Sequence, residues 1–551
     1  MTFTIAAGSL DLALENAYSH LEARGFAASL WQRRVEMWSG DDDVQQNISK
    51  RLGWLDAVDE MRPQAARLRA LANTIKDEGF RRVVLLGMGG SSLAPEVLRG
   101  VIGVSPGYPE FHVLDSVDPD AVTSALVDAG TSLFIVASKS GLTIEVSSLM
   151  AEAERRVAAA GRPEPGAHFV AITDADTPLH RRAQERRFRD VFINRSDVGG
   201  RYSALTYFSL VPAALMGIDI DALLSSTQSM VNACRIADPR KNPGVALGAA
   251  IAAAAQHGRD KLTLLTDHRL ERLGLWVEQL IAESTGKQGL GIVPVMANAD
   301  DAVDSDDRLL VRTTLAGLDA QVRTSPTVFL DVPDLGHLGA EFFRWEVATA
   351  TAGWLLGVNP FDEPNVQEAK DATRTLLAAY RSARRLPIAE PDAVIDGIHL
   401  STSAAMRSAL GGEPPLALLR VMQPHDYFGL LAYLPPDDQR FDPVISEFRA
   451  AVAAKARCAA TIGYGPRYLH STGQLHKGGP NTGVFVIVTA EPAHDAPVPG
   501  EDYTFGILQM AQALGDFQSL NRLGRRVLHA HLPRRNPALL QRLTQQILNR
   551  G

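Results

Sequence analysis

The stretch Val83-Val84-Leu85-Leu86-Gly87-Met88-Gly89-Gly90-Ser91-Ser92 decides the fold class. Four consecutive aliphatic residues without polar alternation read as a short strand buried on both faces. A Gly/Ser turn and a helical pattern from about Pro95 complete a strand–turn–helix unit. Working outward, Phe111-His112-Val113-Leu114, Leu133-Phe134-Ile135-Val136-Ala137, Phe169-Val170-Ala171-Ile172 and Val191-Phe192-Ile193 repeat the apolar run, with helical segments between them. Apolar strands alternating with helices imply an α/β fold whose parallel sheet is doubly wound, with helices on both faces.

The same alternation resumes after Pro239-Arg240-Lys241-Asn242-Pro243, which reads as a linker. Its strands are expected at Leu262-Thr263-Leu264-Leu265, Gly291-Ile292-Val293-Pro294-Val295 and Val328-Phe329-Leu330, with a long helix through Phe342 to Leu356. A third section follows the proline-containing stretch Leu386 to Pro391, with strands expected at Leu418-Leu419-Arg420-Val421, Leu430-Leu431-Ala432-Tyr433 and Val484-Phe485-Val486-Ile487-Val488. The expected organisation is an N-terminal helical region (1–78), two α/β domains (79–238 and 239–385) and a C-terminal α/β section (386–551). Whether the sections are structural echoes of one another is beyond what periodicity decides.

A net charge of −8 gives no basic footprint for nucleic acid. The two cysteines, Cys234 and Cys458, stand far apart without a CxxC spacing, which argues against a disulfide scaffold or a structural zinc site. Met1-Thr2-Phe3-Thr4-Ile5 lacks the basic-then-apolar pattern of a signal peptide, and the alanine-rich run Val245 to Gln256 is too short to cross a bilayer. The expectation is a cytoplasmic protein with no membrane partner.

Two strand-to-helix turns carry anion chemistry. In Gly87-Met88-Gly89-Gly90-Ser91-Ser92, glycines let backbone N–H groups approach an anion, and the following helix offers free amides. Glycines also serve simply as tight turns, and the spacing matches neither a nucleotide P-loop nor a dinucleotide fingerprint. Ser138-Lys139-Ser140-Gly141-Leu142-Thr143 packs three hydroxyls and an ammonium at a strand's carboxyl end, which suits a phosphate monoester. Its other reading is a hydroxyl-rich helix-capping loop. No acidic pair suited to Mg²⁺ adjoins either loop, so phosphate binding is expected without a metal.

A third segment, Leu270 to Glu283, reads as a helix with Leu273, Trp276, Val277, Leu280 and Ile281 on one apolar stripe. Glu283 lies at the stripe's edge with Gln279 one turn before it. A carboxylate against apolar neighbours loses hydration and becomes a usable base near neutral pH; an exposed glutamate at a helix end is the plainer alternative.

In chain order, five segments together resemble phosphoglucose isomerase, a family built from sugar-isomerase (SIS) domains. Gly87-Met88-Gly89-Gly90-Ser91 is similar to its first glycine-rich turn and Ser138 to Thr143 to its phosphate loop. Gly199-Gly200-Arg201-Tyr202-Ser203 is similar to its GGR[FY]S segment, and Gln279 with Glu283-Ser284-Thr285-Gly286-Lys287 to its Q-x-x-x-E-S-x-G-K segment. Asn359-Pro360-Phe361-Asp362-Glu363-Pro364-Asn365-Val366-Gln367-Glu368-Ala369-Lys370 is similar to an NPFDQPGVE-type segment ending in a lysine. The likeness spans about residues 80 to 375.

The histidine departs from this pattern. Ordinary members carry one in an HQG-type segment between the ESxGK and PFD segments, where this chain has only His337. Tyr468-Leu469-His470-Ser471-Thr472-Gly473-Gln474-Leu475-His476-Lys477 follows instead, as in the isomerase half of bifunctional transaldolase/phosphoglucose isomerase proteins, which the C-terminal section resembles. The chain begins near where that half would begin, so the transaldolase barrel is expected to be absent.

The resemblance implies tandem SIS domains of three-layer αβα form with an additional C-terminal α/β section. It also implies cofactor-free interconversion of D-glucose 6-phosphate and D-fructose 6-phosphate through a cis-enediol, and a homodimer. Glu283 is then the base and Arg201 the cation beside the developing oxyanion. His476 (or else His470) and Lys370 open the sugar ring. Gly90, Ser91, Ser138, Lys139, Ser140 and Thr143 hold the phosphate, and Gln279 orients substrate or carboxylate. Rival expectations are a dual phosphoglucose/phosphomannose isomerase, a non-catalytic sugar-phosphate-binding SIS protein, and a subunit that needs a separate transaldolase.

Overall fold

A computed structural model describes residues 3–297, 305–317 and 325–551. Strand β1 (Phe3–Ala6) precedes a run of helices that reaches Asp77. The first sheet then forms from β2 (Arg82–Gly87), β3 (Glu110–Leu114), β4 (Ser132–Ala137), β5 (Phe169–Asp174) and β6 (Asp190–Asn194). All are parallel, in the order β3-β2-β4-β5-β6. Val83 to Leu86 are fully buried, so β2 is covered on both faces, as its unbroken apolar run requires. The chain leaves β2 for β3 on one side and returns on the other for β4. That topological switch lies between the carboxyl ends of β2 and β4, where open α/β sheets collect ligands.

The second sheet contains β7 (Lys261–Thr266), β8 (Val293–Ala297), β9 (Arg308–Leu315) and β10 (Thr327–Val332). These four are parallel in the order β8-β7-β9-β10, and β1 adds to β10 as an antiparallel edge. Strand β9 was not among the expected strands because Arg308 and Arg312 break its apolar pattern, yet Arg308 is buried. The helix Leu273–Thr285 follows β7. The helix Leu338–Leu356 follows β10, is buried from Leu338 through Gly353, and packs against helices Ile220–Ala233 and Pro243–Gln256 at the centre of the core.

The third sheet is built from β11 (Ala393–Ile395), β12 (Ile398–Thr402), β13 (Tyr427–Tyr433), β14 (Ala459–Tyr464), β15 (Gly483–Ala490) and β16 (Arg526–Leu532). Its order is β11-β12-β16-β15-β13-β14, with β13 to β16 parallel and β12 antiparallel to β16. Counted by parallel strands, the order second-first-third-fourth recurs in all three sheets. The three sections are therefore topological echoes, which hydrophobic periodicity alone could not reveal. The strand expected at Leu418 to Val421 is instead part of a 3₁₀ segment, Pro415–Val421. Pro415 starts that segment, and four buried apolar residues suit either conformation, so the pattern could not choose between them.

The chain divides into two compact units. One comprises Met1–Leu114, Asp128–Thr285 and Leu290–Glu363, and contains the first two sheets. The other comprises Asp115–Val127, Gly286–Gly289 and Pro364–Gly551, and contains the third. Among the described residues no helix is long and apolar enough to cross a membrane.

Candidate active site

The loops leaving the switch point of the first sheet are the two that the sequence marks for an anion. After β2, Gly89–Ser91 forms one 3₁₀ turn, with Gly90 and Ser91 buried. Gly90 is required by close approach: a Cβ there would lie 2.0 Å from the Gly200 carbonyl oxygen. The first glycine turn is thereby seated directly on the turn that carries Arg201. After β4, the Ser138 hydroxyl meets the Thr143 hydroxyl at 3.1 Å and accepts from the Gly141 amide at 3.1 Å. Thr143 stands at the N-terminus of the helix Ile144–Ala159 without a side-chain capping bond, so its hydroxyl serves the loop. The Ser140 hydroxyl accepts from the Leu142 amide.

Lys139 is held away from its loop's hydroxyls. Its ammonium pairs with Asp174 at 2.5 Å and donates to the Ser196 carbonyl at 2.9 Å. Burial keeps the Asp174 carboxyl above its ordinary range although Lys139 opposes the shift.

Arg201 is 3% exposed in the 3₁₀ turn Gly200–Tyr202. Its Nε donates to the Ser284 hydroxyl at 2.8 Å, and Nη2 donates to the carbonyls of Pro360 at 3.0 Å and Asp362 at 2.7 Å. Nη1 donates to Glu363 at 3.0 Å and forms an ion pair with Glu283 at 3.5 Å. Burial works against the guanidinium charge, but Glu283 and Glu363 outweigh it and raise the arginine's pKa, so Arg201 is a permanent cation.

Glu283 and Gln279 are both buried on the Leu273–Thr285 helix. At i and i+4 they face one another, and the Gln279 amide donates to the Glu283 carboxylate at 3.1 Å. The exposed-helix-end alternative for Glu283 does not hold. A carboxylate in this position is dry, oriented by an amide and faced by a fixed cation, which suits proton abstraction beside a developing oxyanion.

The remaining candidates lie in the second unit. His476, in the short helix Gly473–Gly478, is 4% exposed with its ring centroid 4.9 Å from Phe485. Burial, helped by Lys477 and Arg525, pushes its pKa down to about 3, so the imidazole is neutral. Its Nδ1 is buried without a hydrogen-bond partner among the described residues. His470 ends the 3₁₀ turn Arg467–His470 and is half-buried. Lys370 is exposed on the helix Val366–Ala383.

Structure thus brings Gly90, Ser91, Arg201, Gln279 and Glu283 into one neighbourhood, where the Gly89–Ser91 and Gly200–Tyr202 turns meet the Leu273–Thr285 helix. It adds two residues that sequence reasoning gave no role, Ser284 and Glu363. Both stand inside the matched segments, and Glu363 occupies the glutamine position of the NPFDQPGVE pattern, a signal that could have singled it out. Among the described residues no cluster of histidine, cysteine and carboxylate side chains is arranged to hold a metal ion.

Comparison with known proteins finds similar chains. A family model described as phosphoglucose isomerase matches residues 55–298. A glucose-6-phosphate isomerase of Synechococcus is 29% identical over 402 residues, covering 63% of this chain and 73% of that protein. One of Prochlorococcus marinus is 26% identical over 459 residues, covering 74% of this chain and 81% of that protein. The crystal structure of a glucose-6-phosphate isomerase from Chlamydia trachomatis shares the fold, with a TM-score of 0.57 at 18% identity over 69% of this chain and 88% of that one. The five motifs in chain order and the doubly wound α/β architecture accord with this similarity to phosphoglucose isomerases.

Proposed function

We infer that this chain is an aldose–ketose isomerase that interconverts D-glucose 6-phosphate and D-fructose 6-phosphate through a cis-enediol. The observation that carries the reading is the buried Glu283 carboxylate, oriented by Gln279 and set 3.5 Å from a fully anchored Arg201. Glu283 takes the C2 proton of the open sugar and returns it to C1. Arg201 lowers the barrier by offering fixed positive charge where the oxyanion develops. The Ser91 turn and the Ser138–Thr143 loop hold the phosphate and so fix the reacting carbons. Lys139 joins them by exchanging Asp174 for phosphate.

Ring opening is assigned to His476 and Lys370 on the strength of the family resemblance. His476 is neutral, because burial, Lys477 and Arg525 disfavour its protonation, so its part in that step is to position the sugar oxygens by hydrogen bonding. The division into 1–78, 79–238, 239–385 and 386–551 and a cytoplasmic location are proposed from the sequence pattern, and a homodimeric assembly from the family resemblance.

The test is a coupled assay in EDTA, with fructose 6-phosphate supplied and glucose 6-phosphate followed through an added dehydrogenase. Turnover is expected for the wild type, with a loss of several orders of magnitude in Glu283→Gln. Full activity in that variant would remove Glu283 as the base. Tight sugar-phosphate binding without turnover in the wild type would favour a non-catalytic SIS protein.

A further inference from the structure

We propose that Glu363 is a second catalytic carboxylate, which carries the hydroxyl proton between the two oxygens of the enediol; this rests on the isomerase reading above. Isomerisation moves two protons. One passes from C2 to C1 and is the business of Glu283. The other must leave the C2 hydroxyl and arrive on O1, and a base aimed at carbon does not move it.

The groups gathered on the Arg201 guanidinium are the Ser284 hydroxyl, the Pro360 and Asp362 carbonyls, Glu283 and Glu363. Backbone carbonyls and a serine hydroxyl do not take up a proton near neutral pH, and the guanidinium does not release one. Among the described residues bonded to this cation, Glu363 is the group besides Glu283 that can do both. It shares Nη1 with Glu283, so an oxygen drawn to Arg201 comes within reach of either carboxylate. Their environments differ: the Glu283 side chain is 10% exposed and that of Glu363 39%. A dry carboxylate suits a carbon acid and a wetter one suits rapid exchange with hydroxyls. The matching family segment carries a glutamine here, whose amide can hold an arginine but cannot carry a proton.

The step balances as follows. In the aldose-to-ketose direction, Glu283 takes the C2 proton. The C–H electron pair becomes the C1=C2 bond and the carbonyl pair moves onto O1, beside Arg201. Glu363 then takes the proton of the C2 hydroxyl and gives it to O1. The O2 pair forms the C2 carbonyl as the C1=C2 pair receives the proton from Glu283 at C1. Both carboxylates are regenerated and no oxidant or reductant is consumed.

The experiment compares wild type, Glu363→Gln, Glu363→Asp and Glu283→Gln with fructose 6-phosphate in D₂O, reading kcat, KM and deuterium entering the sugar at C1 and C2. Glu363→Gln keeps an oxygen for Arg201, so KM is expected within about threefold of wild type while kcat falls by about 10². The enediol then outlives its normal passage, so deuterium wash-in per turnover rises. Glu363→Asp retains a carboxylate and is expected to recover most of the lost kcat. Glu283→Gln loses both turnover and wash-in, which separates failure of the base from failure of the shuttle. A Glu363→Gln enzyme with wild-type kcat and wash-in overturns the proposal. So does a Glu363→Asp enzyme no faster than Glu363→Gln, which also covers a glutamine variant that folds poorly.

Discussion

Replacing Arg201 by lysine keeps the charge and removes the geometry, so it asks which of the two the site needs. The guanidinium serves five partners from three nitrogens: Ser284 at 2.8 Å, Pro360 at 3.0 Å, Asp362 at 2.7 Å, Glu363 at 3.0 Å and Glu283 at 3.5 Å. An ammonium presents its three donors from a single atom and cannot span acceptors on both sides of a planar fork. If it stays with the carboxylates, at least two buried acceptors among Ser284, Pro360 and Asp362 lose their partner. At about 1–3 kcal/mol for each orphaned group, the first unit loses about 2–6 kcal/mol of stability. On the proposed mechanism the charge also moves away from the developing oxyanion, and loss of one preorganised donor of this kind costs about 10²–10³ in kcat. Urea denaturation reads the first quantity and initial rates in the coupled dehydrogenase assay read the second. An Arg201→Lys enzyme within about threefold of wild-type kcat/KM and equally stable would refute the reasoning, because charge alone would then suffice.

Three further outcomes follow from the same geometry. Glu283→Gln should lower the melting temperature, since the buried Arg201 loses one of its two carboxylates and keeps Glu363, while turnover drops by several orders of magnitude in the coupled assay. Gly90→Ala should lower kcat/KM sharply, because its Cβ would lie 2.0 Å from the Gly200 oxygen and drive the Arg201 turn off its seat; normal kinetics in this variant would show that the turn gives way freely. Burial pushes the pKa of His476 and His529 to about 3, far below the ordinary 6.5, with Lys477 and Arg525 adding at His476 and His531 at His529. As pH falls from 6.5 towards 3 the unfolded chain binds protons that the folded one refuses, so stability present above 6.5 is lost, at up to about 1.4 kcal/mol per pH unit per histidine. His529→Gln should flatten that acid slope in pH-dependent denaturation of the second unit, and an unaltered slope would dismiss His529 as a contributor.

From the sequence came the α/β class and the residues of the candidate site. Val83 to Leu86 read as a strand buried on both faces, and the glycine turn, the Ser138–Thr143 loop, Arg201 and Glu283 stand in motifs readable over a dozen residues. Such patterns are local: they report the few neighbours that share a strand face or a helix turn. Where local signals were balanced, the reading failed. The apolar Leu418 to Val421 suited a 3₁₀ turn as well as a strand, and the arginines of β9 hid a buried strand. Tertiary structure alone decided the partners. It placed Ser284, 83 residues away, and Glu363, 162 residues away, on one guanidinium. It turned Lys139 towards Asp174, and it put Asp115–Val127 in the same unit as Pro364–Gly551. Those pairings arise when remote segments are packed together and buried charges must find opposite charges or hydrogen bonds, a demand that no short stretch of sequence records.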